Sequence, residues 1–464
     1  MTPPWAESGR SGPRTVGWWA MVVLATLAFG SVSLIYPFGR DQGIHAFIAD
    51  SVLDGKVLYR DIFNMKPPLT TGVHALALVL FGHSMTAIRL LDLLWTVATS
   101  LLVFAFARRA FGNPRAAALA GVLYSLQYYG CDFWTTAQTD GWLNLPLAVS
   151  FLLALRGWRE GICRRGVWIG AGLGIGLAAA FKYTVIVACP LLTLIVILWG
   201  PGSLRERQAM VGWLVGSTIL VLAGFGLLLA ATGAMPAFLE SQAGLVPAYA
   251  HLAAHPGNPI SGFIHPLVEN PQMHPALVLG LLGGPALLLM FLLRPEHRLA
   301  SRLILAWLAT AILSTLVQRK FFPYQYLPLF TVTSLFGAVA WVAVPIQRPR
   351  LQRLVQGLTV AAVLLSLVTS SYRDRFADMR AVAADPRIDA LREKIVCVED
   401  PEFTKDYHDP DKRSIANALT VEFNDGTRLP EIVVEYPIGH KRRRKEGMPI
   451  LVEKFKTNLA RVFP

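Results

Sequence analysis

Six ionisable residues at the ends of apolar runs have the types and spacing to do chemistry: Asp41, Arg60, Lys66, Asp140, Arg319 and Lys320, with Tyr324 and Tyr326 beside the last pair. Asp41 falls about one helical turn past an apolar run. A carboxylate at such a boundary is costly unless it accepts a proton, orients a partner or caps a helix. Lys66 stands before Pro67 and Pro68, whose rings set a rigid bend. It is a compact cation held at an interface, or a lysine snorkelling at a helix start. Asp140, in QTDGWLNLP, is a second acid at a helix start, suited to positioning an acceptor or to capping with Thr139. Arg319, Lys320, Tyr324 and Tyr326, in QRKFFPYQYLPL, read as an anion site or an interfacial anchor, and Arg60 likewise.

Other constellations carry less. His251, His255, His265 and His274 lie in a proline-rich loop, and only His251 and His255 have the i, i+4 spacing of metal ligands, with no carboxylate in support. No metal site is assigned, and a divalent ion is left open. The scattered Cys131, Cys163, Cys189 and Cys397 give neither a disulfide framework nor a zinc motif. The glycines of GAGLGIGLAAAFKY, which ends at Lys182 and Tyr183, allow close helix packing. No βαβ unit makes them a dinucleotide loop.

The elements that must position these residues are membrane helices. Hydrophobic residues make up 54% of the 464 residues and charged ones only 16%, which excludes an ordinary soluble domain. About eleven candidate spans lie near 16–36, 87–107, 115–130, 142–155, 166–181, 184–199, 210–232, 276–293, 301–318, 324–345 and 354–371. Arg10 and Arg14, Arg108 to Arg115, Arg156 to Arg165, Arg205 to Arg207, Arg294 to Arg302 and Arg348 to Arg353 occupy alternate breaks. By the positive-inside rule these breaks are cytoplasmic, and the net charge of +13 reflects topology rather than nucleic acid. The candidate chemistry then faces the other side. The run from Val16 to Ile35 reads as an uncleaved signal anchor. Ile44, Phe47, Ile48, Val52 and Leu53 predict a helix on the membrane surface, and Leu69 to Phe81 one too short to cross.

Asp41, the surface helix ending in GKVLYRD, and then Lys-Pro-Pro-Leu leading into another apolar helix resemble, in that order, the first external loop of the family 39 glycosyltransferases. That family includes protein O-mannosyltransferases and aminoarabinose transferases of lipid A, and the resemblance covers roughly residues 16–372. It implies the multispan GT-C fold and a polyprenyl-phosphate sugar donor. It also implies that Asp41 is the general base or acceptor-orienting acid, that Asp140 matches a second family acid, and that Lys66 contacts the lipid phosphate. Arg319, Lys320, Tyr324 and Tyr326 match a basic-aromatic external loop that binds donor phosphate. Met65 departs from the acidic residue or His common before that lysine, which bears on donor identity.

The composition changes after the last apolar run. VEFNDGTRLPEIVVEYP predicts a hairpin about an Asn-Asp-Gly turn. With DPRIDALREKIVCVEDPEF before it and LVEKFKTNLARVFP after it, the stretch from roughly Asp385 to Pro464 resembles the C-terminal end of the 2-methylcitrate dehydratase family. Most of that enzyme is absent from the resemblance, so no dehydratase activity is expected of the tail. The basic run 441–445 falls inside it.

These readings combine into a mainly α, polytopic, GT-C-like membrane protein with a small C-terminal α+β segment, divided as 1–372, a junction 373–384, and 385–464. The expected function is sugar transfer from a polyprenyl-phosphate donor to an unidentified acceptor on the non-cytoplasmic face of the inner membrane. Its partners are then membrane lipid and the lipid-linked donor. The alternatives are a fused or misassembled chain, and a non-enzymatic lipid carrier, which needs charged residues facing one another within the spans.

Overall fold

The protein is described by a computed structural model over residues 13–159, 165–247, 257–343, 349–368, 393–438 and 440–460, with positions 250, 254, 387 and 390–391. The junction 373–384, His251, His255 and Cys163 lie outside the described residues. The chain divides into two compact units, Met1–Arg380 and Ala381–Pro464.

The first unit is helical: α1 (Pro13–Gly30), α2 (Arg40–Leu53), α3 (Pro68–Phe81), α4 (Met85–Phe111), α5 (Pro114–Gly130), α6 (Thr139–Trp142), α7 (Asn144–Arg159), α8 (Arg165–Phe181), α9 (Ala188–Trp199), α10 (Leu204–Ala231), α11 (Met235–Leu239), α12 (Pro259–Glu269), α13 (His274–Leu293), α14 (Arg298–Gln318), α15 (Leu327–Ala343) and α16 (Pro349–Val368). Each expected span coincides with one of these helices. Among the described residues six helices are long and apolar enough to cross a membrane, and three apolar stretches are shorter.

Local chemistry sets the breaks. At the end of α4, Gly112 takes a left-handed conformation (φ 69°) after Arg108 and Arg109, and the Asn113 side chain caps α5 ahead of Pro114. Ser203 and Glu206 form a capping box at the start of α10. Inside the bundle the small residues of α8 act as expected. A Cβ on Gly172 would come within 2.1 Å of the Leu214 carbonyl oxygen on α10, and one on Gly174 within 2.3 Å of Ser150 Oγ on α7. Trp307 stacks on Phe151 at 4.7 Å in the core between α14 and α7. Leu24, Leu220, Leu227, Leu281 and Leu293 remain exposed on α1, α10 and α13, the apolar outer surface of a multi-pass membrane protein.

The second unit carries the expected hairpin. Strand β1 (Asn417–Leu419) pairs antiparallel with β2 (Ile432–Val434), Leu419 opposite Ile432, and Gly426 (φ 81°) makes the turn. Two helices, α17 (Pro401–His408) and α18 (Arg444–Ala460), flank it in sequence. Among the described residues of this unit only Ser414 and Gly447 are buried, while Val396, Val398, Leu419 and Ile432 are all exposed. The described residues of this unit thus bury no large apolar side chain, and so supply no hydrophobic core among themselves.

Candidate functional site

Lys66 is aimed by a stapled turn. Its backbone N–H donates to Asn64 Oδ1 (2.9 Å), its carbonyl accepts from the Tyr59 hydroxyl (2.6 Å), and Asn64 is tied to Thr71 on α3 (3.0 Å) and to Ser241 (2.9 Å). With Pro67 at the helix cap and Pro68 at the first position of α3, the Lys66 side chain has a fixed base. Its ammonium lies 5.7 Å from the ring centre of Tyr324.

Asp140, on the single turn α6, is fully buried, and its Oδ1 accepts a 2.5 Å hydrogen bond from Lys182 Nζ. Its Oδ2 is buried with no partner. Lys182 is the residue between α8 and the following 3₁₀ turn, its side chain 13% exposed. Burial brings the Lys182 ammonium down to about 8, Asp140 opposes this, and the charges of Lys66 and Lys320 add to the lowering. Lys320, in the connection after α14, is brought to about 8 by burial and then by Lys66. Lys66, Lys182 and Lys320 therefore lie within one another's field, with Asp140 as the counter-charge paired to Lys182. Such a cluster, edged by Tyr324, favours a ligand carrying more than one negative charge.

Asp41 is half-buried in the first turn of α2 and makes no hydrogen bond or ion pair among the described residues. The N-cap is Gly39, so the capping reading is corrected: Asp41 lies inside the helix. Asp140 is likewise not a cap, since Gln138 holds that position on α6. Gln42, next to Asp41, is buried and donates to the carbonyls of Phe133 (2.9 Å), Trp134 (3.0 Å) and Thr136 (2.7 Å). One turn on, His45 packs on His74 at 5.4 Å, and His74 on Trp142 at 4.6 Å. Burial, and then His74 and Lys66, hold the His45 imidazole well below its ordinary range, so it is neutral. Among the described residues no hydrogen bond or ion pair joins Asp41 to the lysines.

Three sequence-predicted residues are committed elsewhere. Arg60 binds Asp61 (2.8 Å) and the Thr232 carbonyl (3.0 Å). Arg319, at φ 52°, reaches the Gly257 carbonyl (3.4 Å). Tyr326 is fully buried, and its hydroxyl donates to the Phe263 carbonyl (2.8 Å), which corrects its reading as an interfacial anchor. Sequence reasoning missed Lys182 as a site residue, because the glycines before it account for themselves as packing. The available sign was a lone lysine at an external span end. His274 bonds the Val268 carbonyl (2.7 Å), and among the described residues no three metal-ligating side chains group together.

Residues 65–226 match the family described as dolichyl-phosphate-mannose-protein mannosyltransferase, and residues 360–464 match the MmgE/PrpD C-terminal domain. Both resemblances read from the sequence are met. The first match holds Lys66, Asp140 and Lys182 but neither Asp41 nor Lys320. The second reaches back into α16, upstream of Asp385. The tail is 61% identical over 111 residues to 2-methylcitrate dehydratase of Cupriavidus necator, covering 24% of this chain and 22% of that protein. It is 65% identical over 98 residues to the Escherichia coli K12 enzyme, covering 21% and 19%. The chain thus spans about a fifth of the length of the curated relatives it matches. The fold is similar to ArnT from Cupriavidus metallidurans bound to undecaprenyl phosphate, with TM-score 0.56, 18% identity, 74% of this chain and 64% of that one. It is also similar to the apo state, with TM-score 0.55, 19% identity, and coverage of 75% and 63%. The chain spans under two thirds of that protein. These likenesses give the helical unit the GT-C fold of membrane glycosyltransferases.

Proposed function

We propose that the helical unit transfers a sugar from a polyprenyl-phosphate donor to an acceptor hydroxyl on the non-cytoplasmic face of the inner membrane, with inversion at the sugar. The observation that carries this reading is the convergence of Lys66, Lys182 and Lys320 beside Tyr324, with a buried acid among them. Breaking the bond between the sugar and the phosphate leaves a second negative charge on the lipid phosphate. The cluster carries three ammonium groups against one carboxylate, a net charge suited to that product. Asp41, half-buried and without a hydrogen bond or ion pair among the described residues, takes the proton of the acceptor hydroxyl as its oxygen attacks the sugar from the opposite side. The lysines supply the charge in this scheme, which neither requires nor excludes a divalent ion. The similarity to a fold solved with undecaprenyl phosphate supports the donor class.

A carrier is not favoured, because among the described residues Arg89 and Asp92 form no ion pair: Arg89 turns to the loop residues Pro37, Phe133 and Thr136, and Asp92 accepts from Tyr128 on α5 and Trp142 on α6. The tail is proposed to be without dehydratase activity. The test is binding of undecaprenyl phosphate to the purified full chain, read by native mass spectrometry. Lys66→Ala should weaken it about tenfold or more, the loss of a charge-assisted contact. Asp41→Asn should bind normally while transferring no sugar from a labelled polyprenyl-phosphate donor pool. Unchanged binding by Lys66→Ala, or normal transfer by Asp41→Asn, refutes the corresponding assignment.

A further inference from the structure

Arg89 and Asp92 are buried charges in the first turns of an apolar helix, and nothing in the scheme above uses them. Arg89, on the first turns of α4, is fully buried. Its guanidinium donates to Thr136 Oγ1 (2.8 Å), the Phe133 carbonyl (3.2 Å) and the Pro37 carbonyl (2.7 Å), and it lies 5.8 Å and 6.0 Å from the ring centres of Tyr36 and Phe38. Those partners belong to two chain segments. One, 36–39, leads directly into Asp41. The other, 131–138, leads directly into Asp140.

Gln42 makes the same link from the opposite direction: its amide fans over the carbonyls of Phe133, Trp134 and Thr136. Asp92, one turn after Arg89, closes the assembly at the far end of the second segment. Its Oδ1 accepts from the Tyr128 hydroxyl (2.6 Å) and from Trp142 Nε1 (2.8 Å), two residues beyond Asp140, and the Tyr128 oxygen accepts from the Ala137 N–H (3.1 Å). Ala137 is held at φ 52°, a conformation a non-glycine residue keeps only when its surroundings over-determine it.

We infer that Arg89 and Gln42, with Asp92 behind them, form a clamp that sets the position of Asp41 relative to Asp140, and that all three are positioning residues of the transferase. The inference rests on the proposed roles of those two acids. A planar guanidinium reaches several carbonyls at fixed angles, and a lysine does not. Arg89→Lys therefore keeps the buried charge and loses the geometry. Gln42→Leu removes the second tie with no change of charge and serves if Arg89→Lys does not fold.

Reconstituted full-length protein decides this by three readouts. Each variant should transfer about a hundredfold more slowly, the cost of roughly 1 Å of misplacement. Undecaprenyl phosphate affinity should stay within about threefold of wild type, because Lys66 is fixed by a separate turn. Combining the substitutions should cost no more than the worse single one, since they act as a unit. Transfer at the wild-type rate overturns the inference, and so does loss of affinity and thermal midpoint in step with rate, which marks a merely structural role. If the wild type transfers no sugar, the proposed reaction has failed and the clamp is judged separately. In an Asp41→Cys background, a membrane-impermeant maleimide should then label at least tenfold faster once Arg89→Lys or Gln42→Leu is added. Unchanged labelling overturns the clamp.

Discussion

Replacing Asp140 by Asn removes the counter-charge of Lys182 and leaves its shape, which makes Asp140→Asn a direct test of the lysine cluster. Keeping the Lys182 ammonium at about 8 instead of 10.5 costs the folded protein roughly 3 kcal/mol below pH 8, at about 1.36 kcal/mol per pH unit. The sign follows from which state holds the proton. The folded lysine gives it up more readily, so the cost is full below about 8 and fades as pH climbs toward 10.5. Asp140 opposes the lowering, so without it Lys182 titrates below 8. At pH 7 the extra cost is capped at roughly 1 kcal/mol, because Lys182 can shed its proton; at pH 6 the cap is roughly 3 kcal/mol, and above pH 8 it approaches zero. Thermal midpoints of wild type and variant in detergent, measured at pH 6, 7 and 8.5, should diverge at acid pH and meet at the alkaline end. A gap independent of pH would refute the buried ion pair as the source of the effect.

Lys182 and Lys320 both titrate near 8, so affinity for undecaprenyl phosphate should fall as pH rises from 7 to 9, as cations are lost. Equilibrium binding across that range checks it, and rising affinity would contradict the cluster. Gly172→Val should destabilise the helical unit by about 1–3 kcal/mol, because the new side chain enters the Leu214 backbone on α10; a midpoint equal to wild type would show that α8 and α10 are not so closely packed. The purified chain should form no hydration or dehydration product from 2-methylcitrate, and measurable turnover would show that the tail completes an active site. High-salt washing should leave the chain in the membrane pellet, whereas release would argue against spanning helices.

Much of the helical unit was legible because its causes are local. Long apolar runs, Gly112 with Asn113 and Pro114, and the capping box at Ser203 each specify a start or stop within a few residues. The Asn-Asp-Gly turn did the same for the tail hairpin. Lys66 could be placed for a similar reason, since the prolines that fix it are its neighbours. Tertiary structure alone decided which charges meet. The pairing of Asp140 with Lys182 joins residues 42 positions apart, and the Tyr326 hydroxyl is spent on a carbonyl 63 positions away. Nothing in a local pattern encodes either contact. A buried charge is stable only where packing from distant segments supplies its partners, and so Arg89, an oddity within an apolar run when read along the chain, ties two loops together in three dimensions.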